Sequence, residues 1–271
     1  MGRAHAQSKG HGRRLRRVVS IVVTLGCSLA IAVVAQAQGR GAAGAPQAPA
    51  TPRAAAPIDL TGYWVAIVTE DWRWRMVTPA RGDYASIPLT VEGKRVADLW
   101  DPAKDEAAGE QCRSYGAPGL MRAPTRLRMA WLDDNTLKME TDYGMQTRLL
   151  GFGAGPAAGA PAWQGTSRAQ WVMAAGAGGR GEAAPRFGSL KTVTTRLRPG
   201  YLRKNGVPYS ANTVLTEYWD VQKEQNGAQY LVITIVVDDP TNLQLPWITS
   251  MHFRKEPDGG KWDPTPCSAR W

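Results

Sequence analysis

Histidine is scarce in this chain, with three in 271 residues. His5 and His11 fall before residue 37, so only His252 stands in the body of the sequence. That excludes a metal centre built from three histidines, or from two histidines and a carboxylate. We therefore expect no metal and no cofactor. Cysteine is equally sparse: Cys27, Cys112 and Cys267. No cluster of Lys and Arg follows residue 17, which argues against a nucleic-acid footprint. Phenylalanine occurs three times against eleven tryptophans. Aromatic mass is thus carried mostly by indole, a large apolar body with one hydrogen-bond donor.

The one long apolar run, Val18–Ala35, follows a basic stretch of Arg3, Lys9, Arg13, Arg14, Arg16 and Arg17 with no acid. Ala35-Gln36-Ala37 is an A-x-A cleavage site, so residues 1–37 read as a signal peptide. Ser20, Thr24, Gly26 and Ser28 make the run a poor membrane anchor. Removing the six basic leader residues lowers the formal charge from +10 to +4. The expected location is periplasmic or secreted, with no stable membrane insertion after cleavage; Sec and twin-arginine export stay open. Cleavage leaves Cys112 and Cys267, and two cysteines in an oxidising compartment point to one disulfide.

Residues 38–57 are rich in Ala, Gly, Pro and Gln and read as a flexible linker. The folded domain spans 58–271, with a Gly/Ala-rich insert at 153–188 whose middle, around Trp163 and Trp171, docks on the rest. Elsewhere the periodicity is mostly two. Alternating runs cover 61–70, 72–78, 126–132, 136–142, 144–150, 189–198, 213–221, 230–237 and 248–255, about nine strands. Asp133-Asp134-Asn135 and Asn226-Gly227 are hairpin turns. Thr90 caps a helix sharing Val96, Leu99 and Trp100 on one face, and Asp101-Pro102 opens a second. The fold class is mainly β: a single antiparallel barrel with a short helical segment near 90–110 that closes one end.

Leu60-Thr61-Gly62-Tyr63-Trp64 resembles the first strand of lipocalin-like barrels. That resemblance implies a tryptophan plugging the closed end and an arginine from a late strand packed over it, with Arg254 as the matching residue. Trp163-Gln164-Gly165, Leu202-Arg203 with Gly206-Val207-Pro208-Tyr209-Ser210, Glu217-Tyr218, Asp238-Asp239-Pro240 and Pro246-Trp247 follow in an order similar to exported bacterial lipocalin-like β-barrel proteins without an assigned activity. The likeness covers most of the chain beyond the leader and implies the fold, not a reaction.

Trp72-Arg73-Trp74-Arg75, placed on a strand, puts two indoles on one face and two guanidiniums on the other. Inward arginines would clamp a carboxylate or sulfate; inward indoles would line a pocket for a flat ligand. An ordinary core strand with a basic outer face gives the same pattern. Arg126 and Arg128 repeat it around Leu127, Met129 and Trp131, and Arg196 and Arg198 around Leu197. Glu217 shares a face with Leu215, Trp219 and Val221, where desolvation would raise its pKa for acid–base work, unless it pairs with a barrel arginine. Glu70 is similar, on a face with Trp64 and Val68. His252 follows Ser250 on one strand face, but no G-x-S-x-G elbow supports a nucleophile. Asp238-Asp239 before Pro240 reads as a turn cap.

Three functions follow. The first is binding of a small hydrophobic, aromatic or polycyclic molecule by Trp72, Arg73, Trp74, Arg75, Arg126, Arg128, Trp131 and Trp219. The second is a cofactor-independent lyase, isomerase or hydrolase using Glu217 with His252 or Glu70. The third is a structural envelope protein with a filled barrel.

Overall fold

A computed structural model describes residues 50–153, 159–173 and 187–270. The leader and most of the linker lie outside the described residues. The described residues belong to one compact unit, Ala48–Trp271. Nine strands close into a barrel: β1 (Gly62–Ile67), β2 (Arg126–Trp131), β3 (Thr136–Thr141), β4 (Thr147–Phe152), β5 (Thr166–Met173), β6 (Gly188–Thr195), β9 (Val214–Lys223), β10 (Gln229–Asp238) and β11 (Trp247–Glu256). A two-stranded hairpin, β7 (Gly200–Tyr201) and β8 (Pro208–Tyr209), stands apart between β6 and β9. The mainly β, lipocalin-like barrel expected from the sequence is present, with short helices near one end.

Strand directions alternate around the ring except at β4 and β5, which run parallel. The exception is a matter of parity, since alternation can close only over an even number of strands. Parallel neighbours need a connection of about a dozen residues, and the chain length between Phe152 and Thr166 allows one. The segment read as an insert therefore contributes a barrel strand, Thr166–Met173. Conversely, Trp72–Thr78 is not a strand: Trp72–Arg75 forms the short helix α1, and β1 stops at Ile67.

Period-two alternation sorts side chains as expected for a half-buried sheet. Leu231, Ile233, Ile235 and Val237 of β10 point inward and are fully buried, as are Leu127, Leu137, Leu150, Leu190, Leu215, Trp219, Met251 and Phe253. Complete burial leaves no room for a water-sized group beside these side chains, so the barrel interior is packed as a core.

Trp64 plugs the base of the barrel, its indole N–H donating to the Leu60 carbonyl at 2.9 Å. The cation over its ring is Lys255, with Nζ 4.4 Å from the centroid, and not Arg254. Lys255 is the register partner of Trp64 on the inward face, whereas Arg254, one residue earlier, faces solvent. Residues 50–57, read as linker, also engage the base: Arg53 N–H donates to the Asp134 carbonyl, and the Trp171 indole donates to the Pro52 carbonyl.

The opposite end is covered by helices and the β7–β8 hairpin. Helix α2 (Val91–Asp98) starts at Thr90, whose hydroxyl accepts from Gly93 N–H. Asp101 caps α3 (Pro102–Ala107) through Ala103 N–H. Both starts match the capping reading. The buried positions of α2 are Gly93 and Ala97, while Leu99 is exposed, so the anticipated Leu99 face is displaced by a close approach to Asn242. A 3-10 turn (Gln111–Tyr115) and α4 (Ala117–Leu120) complete the cap.

Cys112 in the 3-10 turn is bridged to Cys267, 155 residues away. The bridge fastens the tail to the cap beside Tyr115. We expect Cys267→Ser to cost about 2–5 kcal/mol, the usual range for loss of a native disulfide. Unfolding with and without reductant checks it; an unchanged melting temperature would mean the tail is held by other contacts.

Candidate functional site

The structure separates the residues singled out in the sequence into three places. Inside the barrel, Glu217 of β9 meets Arg148 of β4 in a two-pronged ion pair, 2.8 and 2.6 Å, with both side chains fully buried. Thr192 donates to the same carboxylate, Trp219 donates its indole N–H to Thr192, and Thr194 accepts from Arg148. Glu217 is thus sealed in core and paired with a barrel arginine. The desolvated, acid–base reading of this residue is not what the geometry supports. Trp219 is likewise core filling and lines no cavity.

On the outer surface, Arg126 bonds Glu256 and Arg128 bonds Glu140, with Arg128 also over the Trp262 ring. Their strand turns Leu127 and Met129 inward, so this basic face lies outside. Trp131 sits at the base with Phe152 and Trp171. His252 is half-exposed on the outer face of β11 and meets Glu70 at 3.2 Å. Glu70 lies in the bend after β1, not on a face with Trp64. Burial pushes its carboxyl up, but hydrogen bonds from Thr69 and its own amide, the charge of Arg75 and the contact with His252 outweigh this and hold it below its ordinary value. The proposed Glu217–His252 pairing is not assembled, because one faces the core and the other faces out.

The third place is the cap. Helix α1 turns Trp72 to solvent and Arg73 onto Asp83, but buries Arg75. Arg75 donates to the Arg122 carbonyl and pairs with Glu70. Arg122, also buried, pairs with Asp71 at 3.1 Å and lies over the Trp247 ring. Asp71 precedes α1 with φ 52°, a left-handed conformation that Asp tolerates better than most residues. The hairpin turn between β7 and β8 brings in two further cations, Arg203 and Lys204. This turn is closed by Gly206 N–H on the Arg203 carbonyl, with Gly206 at φ +83° against the Trp100 ring. A β-carbon there would meet Trp100 Cβ at 2.1 Å and its ring at 2.3 Å, so only glycine completes the turn. The Asn205 amide fastens it to the carbonyls of Ala80 and Asp83.

These elements enclose a small cavity of about 20 Å³, lined by Trp74, Arg75, Arg122, Tyr143, Arg203 and Lys204 among others. No carboxylate is among its lining residues. Arg203 is 3 % exposed, stacks on Trp74 at 4.6 Å, and has no acceptor among the described residues for Nε, Nη1 or Nη2. Burial and the nearby Arg122 charge pull its pKa down to about 10, so it stays protonated at neutral pH. Lys204 donates to the Tyr143 hydroxyl at 3.3 Å, and burial lowers its pKa to about 8. Tyr143 packs on Tyr115, and burial raises both phenols, which keep their protons at neutral pH. Of this group the sequence reading had singled out Trp74 and Arg75; it had quoted Arg203 only for its resemblance, and it missed Arg122, Tyr143 and Lys204.

Among the described residues no helix is long and apolar enough to cross a membrane, and no group of His, Cys, Asp and Glu is placed to hold a metal ion. Comparison with protein-family models, with curated proteins and with solved structures finds no significant match to this chain.

The sealed Arg148–Glu217 pair makes a direct prediction. Glu217→Leu alone should cost about 3–5 kcal/mol, because it leaves a buried guanidinium without its counter-charge. Arg148→Met combined with Glu217→Leu should recover most of that loss. Urea unfolding of the two variants checks it; equal losses in both would assign the cost to packing.

Proposed function

We propose that this protein is an exported binding protein for a small organic acid, and that the acid's carboxylate or comparable oxyanion is held in the cap cavity by Arg203. The observation that carries this reading is the buried Arg203 guanidinium, whose three nitrogens have no acceptor among the described residues, in a cavity with no carboxylate among its lining residues. A buried donor left unmade costs about 1–3 kcal/mol, more when charged, and a planar guanidinium fits a carboxylate's two oxygens. Glu70 and Asp71 offset Arg75 and Arg122 from behind. Arg203 remains as the buried cation with no hydrogen-bonded carboxylate among the described residues, although Asp71 and Asp83 lie near enough to act on its charge. Trp74, Tyr115 and Tyr143 give the same cavity apolar walls.

This keeps the apolar ligand with an arginine-bound anionic group anticipated from the sequence, and moves it from the barrel interior to the cap. The packed interior supports the move, as its fully buried side chains leave no room beside them, whereas the cap cavity has room for the anionic group of a ligand whose remainder lies outside it. An oxidising compartment, where the Cys112–Cys267 bridge persists, agrees with export.

Titration calorimetry with benzoate, phenylacetate, sulfate and phosphate tests the reading. Binding of at least one of these should weaken about tenfold or more in Arg203→Met, as expected for loss of charge-assisted hydrogen bonds. Retained affinity in a folded Arg203→Met would overturn it. The pH dependence has a defined sign. An anion favours protonated Lys204, so affinity is greatest below pH 8 and falls as pH rises through about 8, with proton uptake on binding. Lys204→Met should flatten that dependence; an unchanged slope would place the titration elsewhere.

A further inference from the structure

We propose that an open groove between the β5–β6 and β9–β10 hairpins binds a small hydrophobic amine, its ammonium on Asp220 and its apolar part against Val172, Met173 and Phe187. The inference is independent of the acid site in the cap. It starts from a break in the sheet. The ladder between β6 and β9 ends at the Leu190–Trp219 pair. Beyond that pair each hairpin runs on with its own partner, β5–β6 to Met173 and Gly188, and β9–β10 to Lys223 and Gln229. The two hairpins therefore part at this end of the barrel. A groove of about 500 Å³ opens between them, within the range of about 300–1,000 Å³ usual for small-molecule sites.

Pro57 and Ile58 bring the chain ahead of β1 into the groove wall. Gly188 admits them, since a β-carbon there would meet Pro57 Cγ at 3.0 Å and the Val172 carbonyl at 2.6 Å. Val172, Met173 and Phe187 line the same groove and are exposed although apolar. Apolar side chains gathered at one exposed place mark a binding surface, where scattered ones do not.

Asp220 carries the one charge among the described lining residues. Burial pushes its carboxyl above the ordinary value, and no donor or cation among the described residues draws it back. The nearest lysines in sequence and register are engaged elsewhere. Lys191 stands over the Tyr218 ring at 5.6 Å, and Lys223 lends its charge to Asp59. A half-buried carboxylate without a counter-charge is complementary to a cation, and a cation that brings apolar surface matches the rest of the groove. An ammonium has three donors to place. The Asp220 carboxylate, the Ser189 hydroxyl and the Gln222 amide oxygen all line the groove as acceptors. A bare calcium ion would want several carboxylates, and a polybasic segment more than one.

Calorimetric titration of the protein with phenethylamine and hexylamine tests the groove. Phenethyl alcohol lacks the charge and ethylamine lacks most of the apolar part, so each should bind about tenfold more weakly or worse. Asp220→Asn should bring phenethylamine down to the level of phenethyl alcohol. Phe187→Ser should weaken both amines about threefold or more. Asp263→Asn, an exposed aspartate outside the groove, should bind as the parent does. Melting curves establish that each variant is folded. Phenethyl alcohol binding as tightly as phenethylamine, or amine binding indifferent to Asp220→Asn, would overturn the proposal, as would no binding of either amine. Self-association of the protein abolished by Phe187→Ser would overturn it too, and would give the groove to a second copy of this chain.

Discussion

Strand β1 holds the ring shut, pairing with β11 on one side and β2 on the other. Its register against β11 aligns Trp64 with Lys255, and against β2 with Leu127. A slip of one residue would exchange the inward and outward sets of every neighbour. Closure also removes the sheet edges that an open nine-stranded sheet would expose. With nine strands, closure demands one parallel step, and the structure places it at β4–β5. That step brings Arg148 of β4 into the same interior as Thr192 and Thr194 of β6 and Glu217 of β9, so the buried polar network depends on the closure.

The packed interior then decides where chemistry can occur. A lumen lined by fully buried Leu, Ile, Met and Trp side chains offers no volume for a ligand. Segments that a simple meander would not need, α1 to α4 and the β7–β8 hairpin, gather over one end and enclose the one small cationic cavity described above. Two buried arginines show the contrast. Arg148 is satisfied by Glu217 and Thr194 apart from Nε, as suits a structural pair. Arg203 stacks on Trp74, and none of its three nitrogens has a hydrogen-bond acceptor among the described residues. Burying either charge is costly. In the first a carboxylate is hydrogen-bonded to the guanidinium; in the second Asp71 and Asp83 act on the charge without accepting a hydrogen bond from it, which is why the second reads as the ligand site.

The barrel was legible because period-two alternation is local and strong, as in Leu231–Val237, and because Asn226-Gly227 marks its hairpin plainly. The expected and observed barrels both have nine strands because two local departures cancel. Trp72–Arg75 alternates like a strand but coils into one helical turn, stabilised by buried contacts of Arg75 with Glu70 and the Arg122 carbonyl that no local pattern announces. Thr166–Met173 is a strand hidden between Gly/Ala-rich flanks whose composition masked it. The cation over Trp64 was displaced by one residue, from Arg254 to Lys255, because the strand's facing was not fixed by its charged end.

The site was less legible for a physical reason. Trp74 and Arg75, Arg122, Tyr143, Arg203 and Lys204 come from four separated segments, and their meeting depends on tertiary packing of the cap. The usable local signal was Arg203-Lys204-Asn205-Gly206: two cations followed by a turn pair. A turn of that composition would ordinarily project into solvent. Here Asn205 is held by the carbonyls of Ala80 and Asp83, and Gly206 lies against Trp100, so the turn is folded inward and its charges go with it. Solvation that an exposed turn would receive from water must then come from another source. Tyr143 supplies part of it to Lys204, and Trp74 supplies a π-face to Arg203. The remaining in-plane donors of Arg203 call for oxygen acceptors, the chemistry of a carboxylate.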